Sequence, residues 1–147
     1  MMAAYDIFEI VVTGKGSHAA MPHTGIDPVV TAAQIITSLQ TIASRERSPL
    51  DPVVITVGRF NAGIRENIIP EEATMAGTIR TLDADMQKDV HARIRQTAKS
   101  IAESMGASVE VSITTMAPLT YNTPALVEKM APSLYKAAGK DNVQLGE

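Results

Sequence analysis

The sequence predicts an α+β domain of ferredoxin-like plan, βαββαβ, with a four-stranded antiparallel sheet carrying two helices on one face. Three observations predict it. Two long segments carry apolar residues at helical spacing. Four shorter segments are β-branched or alternate in polarity. Their order along the chain is strand, helix, strand, strand, helix, strand, which is the split βαβ arrangement.

The first strand is Ile7 to Thr13, β-branched and aromatic, and Gly14 stops it. A loop rich in Gly, Pro, His and Ser runs from Gly14 to Asp27. Asp27-Pro28 is a helix start, with Asp as N-cap and Pro in the first helical position. Ala32, Ala33, Ile36, Leu39, Ile42 and Ala43 then define the expected buried stripe of a helix ending near Arg45, before Ser48-Pro49. Val53 to Val57 is the second strand. Turn signals at Asn61-Ala62-Gly63 and Pro70 precede a third strand, Ala73 to Leu82. Asp83 caps a second helix with Met86, Val90, Ile94, Ala98, Ile101 and Met105 on one face, and Gly106 stands where a left-handed C-cap belongs. Val109, Val111 and Ile113 alternate with Glu110, Ser112 and Thr114 in the fourth strand. The unit therefore spans 5–116. Residues 117–147 fall outside it: Thr123-Pro124 opens a short helical stretch that Pro132 is expected to kink or break.

Composition excludes several classes of function. The 147 residues are 45% hydrophobic and 20% charged with a net charge of −3, so the chain lacks the basic footprint of a nucleic-acid or anionic-membrane binder. Aromatic content of 3% without tryptophan argues against base-stacking platforms. There is no cysteine, hence no disulfide framework and no thiolate metal site, which fits a cytoplasmic protein. No apolar run is long enough to span a membrane. Asp6 and Glu9 interrupt the first apolar stretch, which does not read as a signal peptide. The Met1-Met2 start fits a domain excised from something longer.

Two segments could carry chemistry. The first is Gly14-Lys15-Gly16-Ser17-His18-Ala19-Ala20-Met21-Pro22-His23. It is not a phosphate loop, because Lys15 is followed by Gly16 and not by Ser or Thr. His18 and His23 have no carboxylate at ligand spacing, so a metal site is not indicated. On composition alone the segment reads first as a solvent-facing loop with two incidental histidines. The second segment runs from Asn67 to Arg80. Strand parity puts Thr74, Thr78 and Arg80 on the helix-free face and Met75 and Ile79 on the other. Arg80 there is either a solvated surface charge or a planar fork able to grip a carboxylate. The Phe60 to Glu71 loop is long for a hairpin, and such loops are often functional. Glu71 and Glu72, being adjacent, point apart. His91, among Asp89, Arg93 and Arg95, is expected on a solvated face, and Met86 and Met105 in the core.

Together these segments resemble the lid, or dimerisation, domain of metal-dependent amidohydrolases: hippurate hydrolases, N-acyl-amino-acid hydrolases and auxin-conjugate hydrolases. The resemblance rests on Gly-x-Gly-x-His-Ala-Ala-x-Pro-His followed by Asp-Pro, and on Asn-x-Ile-Pro…Gly-Thr-x-Arg with its thirteen positions between Asn67 and Arg80. It extends roughly from Ile7 to Thr115. It implies a homodimer formed through the lid, and a catalytic domain in which two divalent metals, zinc, manganese or similar, activate water for cleavage of N-acyl amino acids or short peptides. It implies that His18 reaches the partner subunit's active site and stabilises the oxyanion, and that Asn67 and Arg80 bind the substrate carboxylate. It also implies that Gly14 and Gly16 let the loop approach and move. His23 occupies a position common in this group without an assigned role. The metal-binding segments of such enzymes are missing from this chain, so alone it is expected to hold no catalytic metal and hydrolyse nothing. Residues 117–147 then resemble the truncated start of the return into the catalytic domain. The competing reading is a stand-alone ferredoxin-like dimer that binds an amino acid between its subunits. An RNA-binding module of the same topology would need exposed aromatics and basic charge, which the chain lacks. In either surviving reading, dimerisation should use an open sheet edge and the helix beside it.

Overall fold

The computed structural model describes residues 2–144. In chain order the elements are β1 (Ala4–Thr13), β2 (Ser17–His18), α1 (Pro28–Arg45), β3 (Val53–Ala62), β4 (Ile68–Ile69), β5 (Glu72–Thr81), α2 (Ala84–Ser104), β6 (Ser108–Ala117) and α3 (Pro124–Ala138). The four long strands form one antiparallel sheet in the order β3-β5-β1-β6, the ferredoxin-like topology. Met2 and Thr120 lie just outside β1 and β6 and exchange both main-chain hydrogen bonds, at 3.1 and 3.0 Å.

The helix ends follow from local chemistry. Asp27 Oδ1 accepts the N–H groups of Val29 (2.8 Å) and Val30 (3.2 Å), and Asp83 Oδ1 those of Asp85 (3.0 Å) and Met86 (2.7 Å). Each cap contributes about 1 kcal/mol. At the end of α2, Gly106 takes φ 76°. There the Ala107 N–H reaches Ala102 O at 2.9 Å and the Gly106 N–H reaches Glu103 O at 3.1 Å, a Schellman closure.

The core lies between the helices and the inward faces of β1 and β5. Phe8, Ile10, Val12, Met75 and Ile79 from the sheet meet Ile35, Leu39, Ile42, Val90 and Ile94 from the helices, all fully buried. The buried stripe of α1 differs from the expected one. Pro28, Thr31, Ala32, Ile35, Leu39 and Ile42 are inside, while Ala33 is exposed and Ile36 only partly buried. Thr31 is tolerated inside because its hydroxyl donates to Asp27 O at 2.8 Å. Met105 is likewise not in the core; it is the C-cap of α2 and 36% exposed.

β1, β3 and β6 are longer than periodicity indicated, and β3 continues past Val57 through an irregularity between Val57 and Arg59. Beyond β6, α3 runs through Pro132 without a break. Of the 117–147 tail, residues 145–147 lie outside the described residues. No helix among the described residues is long and apolar enough to cross a membrane.

Candidate functional site at the His18–Asn67 rim

The loop after β1 is a built platform. Gly14 N donates to Glu71 O (2.8 Å), and Lys15 and Ile26 exchange main-chain bonds at 2.8 and 2.9 Å. A Cβ on Gly14 would sit 2.2 Å from Ile26 O, and one on Gly16 would sit 3.2 Å from Ile69 O. Neither glycine has positive φ. Both are therefore there for close packing of main chain on main chain.

His18 and Asn67 come together. β2 pairs with β4 so that His18 faces Ile68 and Ser17 faces Ile69. The Ala19 N–H donates to Asn67 O at 3.0 Å. His18 O accepts the Met21 N–H at 2.8 Å, closing a turn, and His18 Nδ1 accepts the Ala20 N–H at 3.1 Å. His18, Ile64, Ile68 and Pro70 border an open cleft of about 670 Å³. Ile64 is 90% exposed beside the histidine. His23 sits in the adjacent 3-10 turn Pro22–Thr24, exposed and outside the cleft lining.

Arg80 is not part of this rim. It lies near the far end of β5, eight residue steps from Glu72, which span roughly 26 Å at ~3.3 Å each. It is on the helix-free face, as parity indicated, with its guanidinium 4.0 Å above the ring of its cross-strand neighbour Tyr5. On the same face Arg59 Nη2 meets Glu9 Oε1 at 2.7 Å. Among the described residues, no three His, Cys, Asp or Glu side chains are gathered so as to hold a metal ion.

A second polar cluster escaped the sequence reading. Asp6, fully buried, accepts from Thr115 Oγ1 (2.6 Å) and from Gln87 Nε2 (2.8 and 3.0 Å), and His91 Nε2 lies 3.1 Å from its Oδ2. Burial pushes the Asp6 carboxyl up, but the hydrogen bonds from Thr115 and Gln87, with the His91 imidazole beside it, outweigh this and hold the group below its ordinary value. His91 is thus not on a solvated face. Its charged neighbours turn outward, with Asp89 paired to Arg47 and Arg93 to Glu46, while the i,i+4 pair Gln87 and His91 faces β1. Strand parity was the available signal: Asp6 shares its register with the inward-facing Ala4, Phe8, Ile10 and Val12.

The sheet topology and the His18 rim define a class that comparison with known proteins makes specific. The peptidase dimerisation domain family matches residues 6–106, and the chain belongs to that family. It is 36% identical over 137 residues to an N-acetyl-L-cysteine deacetylase of Bacillus subtilis (strain 168), covering 93% of this chain and 33% of that protein. It is 44% identical over 110 residues to an N-acyl-L-amino acid amidohydrolase of Geobacillus stearothermophilus, covering 75% of this chain and 30% of that protein. The crystal structure of a dinuclear metal-binding peptidase of Bacillus subtilis superposes with a TM-score of 0.73 at 30% identity, covering 93% of this chain and 33% of that one. The chain therefore spans about a third of the length of these relatives.

Proposed function

We propose that this chain is the lid and dimerisation unit of a cytoplasmic two-metal amidohydrolase acting on N-acyl amino acids or short peptides. The observation that carries this is the juxtaposition of the His18 loop and the Asn67 main chain, with His18 bordering an open cleft. In this reading His18 donates a hydrogen bond to the oxyanion that develops on the scissile carbonyl of the partner subunit. In this reading the two metals are held by the catalytic domain to which the lid belongs. Residues 117–147 form the passage towards that domain.

Arg80 and Asn67 lie too far apart along the sheet to grip one carboxylate from a single protomer. The composite site takes Arg80 from one subunit and the His18–Asn67 rim from the other. The dimer forms along β3, an open edge of the sheet, with α1 beside it. Val54 and Phe60 on β3 are 55% and 40% exposed, and Val30 on α1 is 46% exposed. Small side chains of α1 (Ala33, Thr37 and Ser38) line a shallow groove next to Val30 that admits close approach of a second helix. Joining two such edges satisfies the main-chain groups of both.

Mixed dimers of the full-length enzyme test this. His18→Ala and Arg80→Ala are each expected to lower turnover about a hundredfold or more. In a dimer of one His18→Ala subunit and one Arg80→Ala subunit, one composite site is intact and the other has lost both residues. Random mixing should restore about a quarter of wild-type turnover, from half the dimers and half their sites. No restoration would place both residues in one subunit's site and overturn the composite arrangement. Near-normal turnover of His18→Ala would remove the oxyanion role. The amino-acid-binding dimer would be favoured if the isolated chain bound free amino acids at micromolar concentration.

A further inference from the structure

We infer that the main chain fixes which nitrogen of His18 carries the proton, through the N–H of Ala20. The inference extends the proposed oxyanion role by naming the atom that donates and the group that presets it. A main-chain N–H can only donate, and the Ala20 N–H lies 3.1 Å from His18 Nδ1. Nδ1 must therefore be the acceptor. A neutral imidazole has one donor and one acceptor nitrogen, so the proton sits on Nε2.

The arrangement is hydrogen-bonded at each step. Three consecutive N–H groups are committed: Ala19 to Asn67 O at 3.0 Å, Ala20 to His18 Nδ1 at 3.1 Å and Met21 to His18 O at 2.8 Å. The ring thus plays the part that an Asn or Asp side chain plays in an Asx-turn, accepting from the residue two positions on. The next turn is closed too, because Thr24 Oγ1 and the Gly25 N–H donate to Met21 O (2.8 Å) and Pro22 O (3.1 Å). The Asn67 carbonyl anchors this turn to β4, so the rim holds both the histidine and its tautomer. A donor preset in this way costs no reorganisation when negative charge develops opposite it. Ala20 is a positioning residue through its main chain alone. Any side chain that keeps the turn would serve there, and proline would not, having no N–H to give.

The test uses the isolated chain, uniformly labelled with nitrogen-15, in a long-range proton–nitrogen spectrum at a pH where the imidazoles are neutral. The His18 signals are identified by their loss in His18→Gln. The expected result is a single tautomer for His18, with Nδ1 pyridine-like and Nε2 pyrrole-like. His23, whose ring accepts no such bond, should show the averaged shifts of a tautomer mixture. In Ala20→Pro the His18 shifts should move to the His23 pattern while His91 stays unchanged. Wild-type His18 shifts matching those of His23, or a pyrrole-like Nδ1, would overturn the inference, and that spectrum decides even if Ala20→Pro does not fold. A single His18 tautomer in this chain, alongside full turnover of His18→Ala in the complete enzyme, would uphold the lock while removing the catalytic role.

Discussion

The guanidinium of Arg80 lies 4.0 Å from the centroid of the Tyr5 ring, and the two residues face one another directly in the β1–β5 ladder. The ring holds the planar fork flat against the helix-free face by a cation–π contact. Lysine carries the same charge without the fork or the flat stacking surface. Arg80→Lys in the full-length enzyme is therefore expected to raise KM about tenfold or more, with a smaller change in kcat, because one bidentate carboxylate contact is lost. Tyr5→Leu should move KM the same way by less. Steady-state kinetics checks both, and an unchanged KM in Arg80→Lys would reduce Arg80 to a surface charge.

The dimer surface can be tested on the isolated chain. Ala33 is exposed on α1 within the groove beside Val30. Ala33→Arg would place a charge where two copies of α1 approach. Light scattering is expected to show a dimer for the wild type and a monomer for Ala33→Arg, with unchanged helix content. A dimer in both would move the interface elsewhere, the β6 edge being the remaining open one.

Asp6 should govern the acid branch of stability. Its carboxyl is held below the ordinary value of 3.8 in the folded chain and returns to it on unfolding. The unfolded state then binds more protons in this window, so stability rises with pH through it. The contribution is complete above the unfolded value and is lost as pH falls through the lower folded one. Asp6→Asn should flatten this slope in urea titrations and cost about 1–3 kcal/mol at neutral pH, because the amide NH2 that replaces one oxygen cannot accept from the donors around it. An unchanged slope would assign the acid transition to other groups.

The rotation of α1 makes a separable prediction. Ile35 is fully buried and its neighbour Ile36 only partly so. Ile35→Ala is expected to destabilise by about 2–5 kcal/mol, and Ile36→Ala by less than half as much. Equal losses in chemical denaturation would contradict the packing of this face.

These particulars mark where sequence patterns carry information and where they stop. Asp27, Asp83 and Gly106 were legible because a cap acts within a few residues of itself. The element order and the ferredoxin-like topology were legible from the periodicity of the six segments and their sequence along the chain. The face of α1 was misjudged because apolar residues at 35 and 36 satisfy helical spacing equally, and only contact with the sheet chooses between them. The loop glycines and the two motifs marked segments that meet at the β2–β4 ladder, yet spacing along the chain said nothing about distance in space. Thirteen positions separate Asn67 from Arg80, and most of them are spent travelling the length of β5. The β2–β4 ladder that joins His18 to Asn67 has only two residues on each side, too few to leave a periodic trace. Asp6 was legible in principle, since its parity placed it inside, but a lone acidic residue in a strand gives no sign of the donors waiting around it.

The paired hydrogen bonds between Met2 and Thr120 have a mechanical consequence. They tie the two chain segments flanking the domain together at one isolated bridge beyond β1 and β6. Two segments held at such a bridge cannot part without breaking both bonds, yet they can bend together across their thin dimension. The His18 rim, at the opposite end of β1 from the bridge, would sweep the widest arc for a given bend, like the tip of a lever.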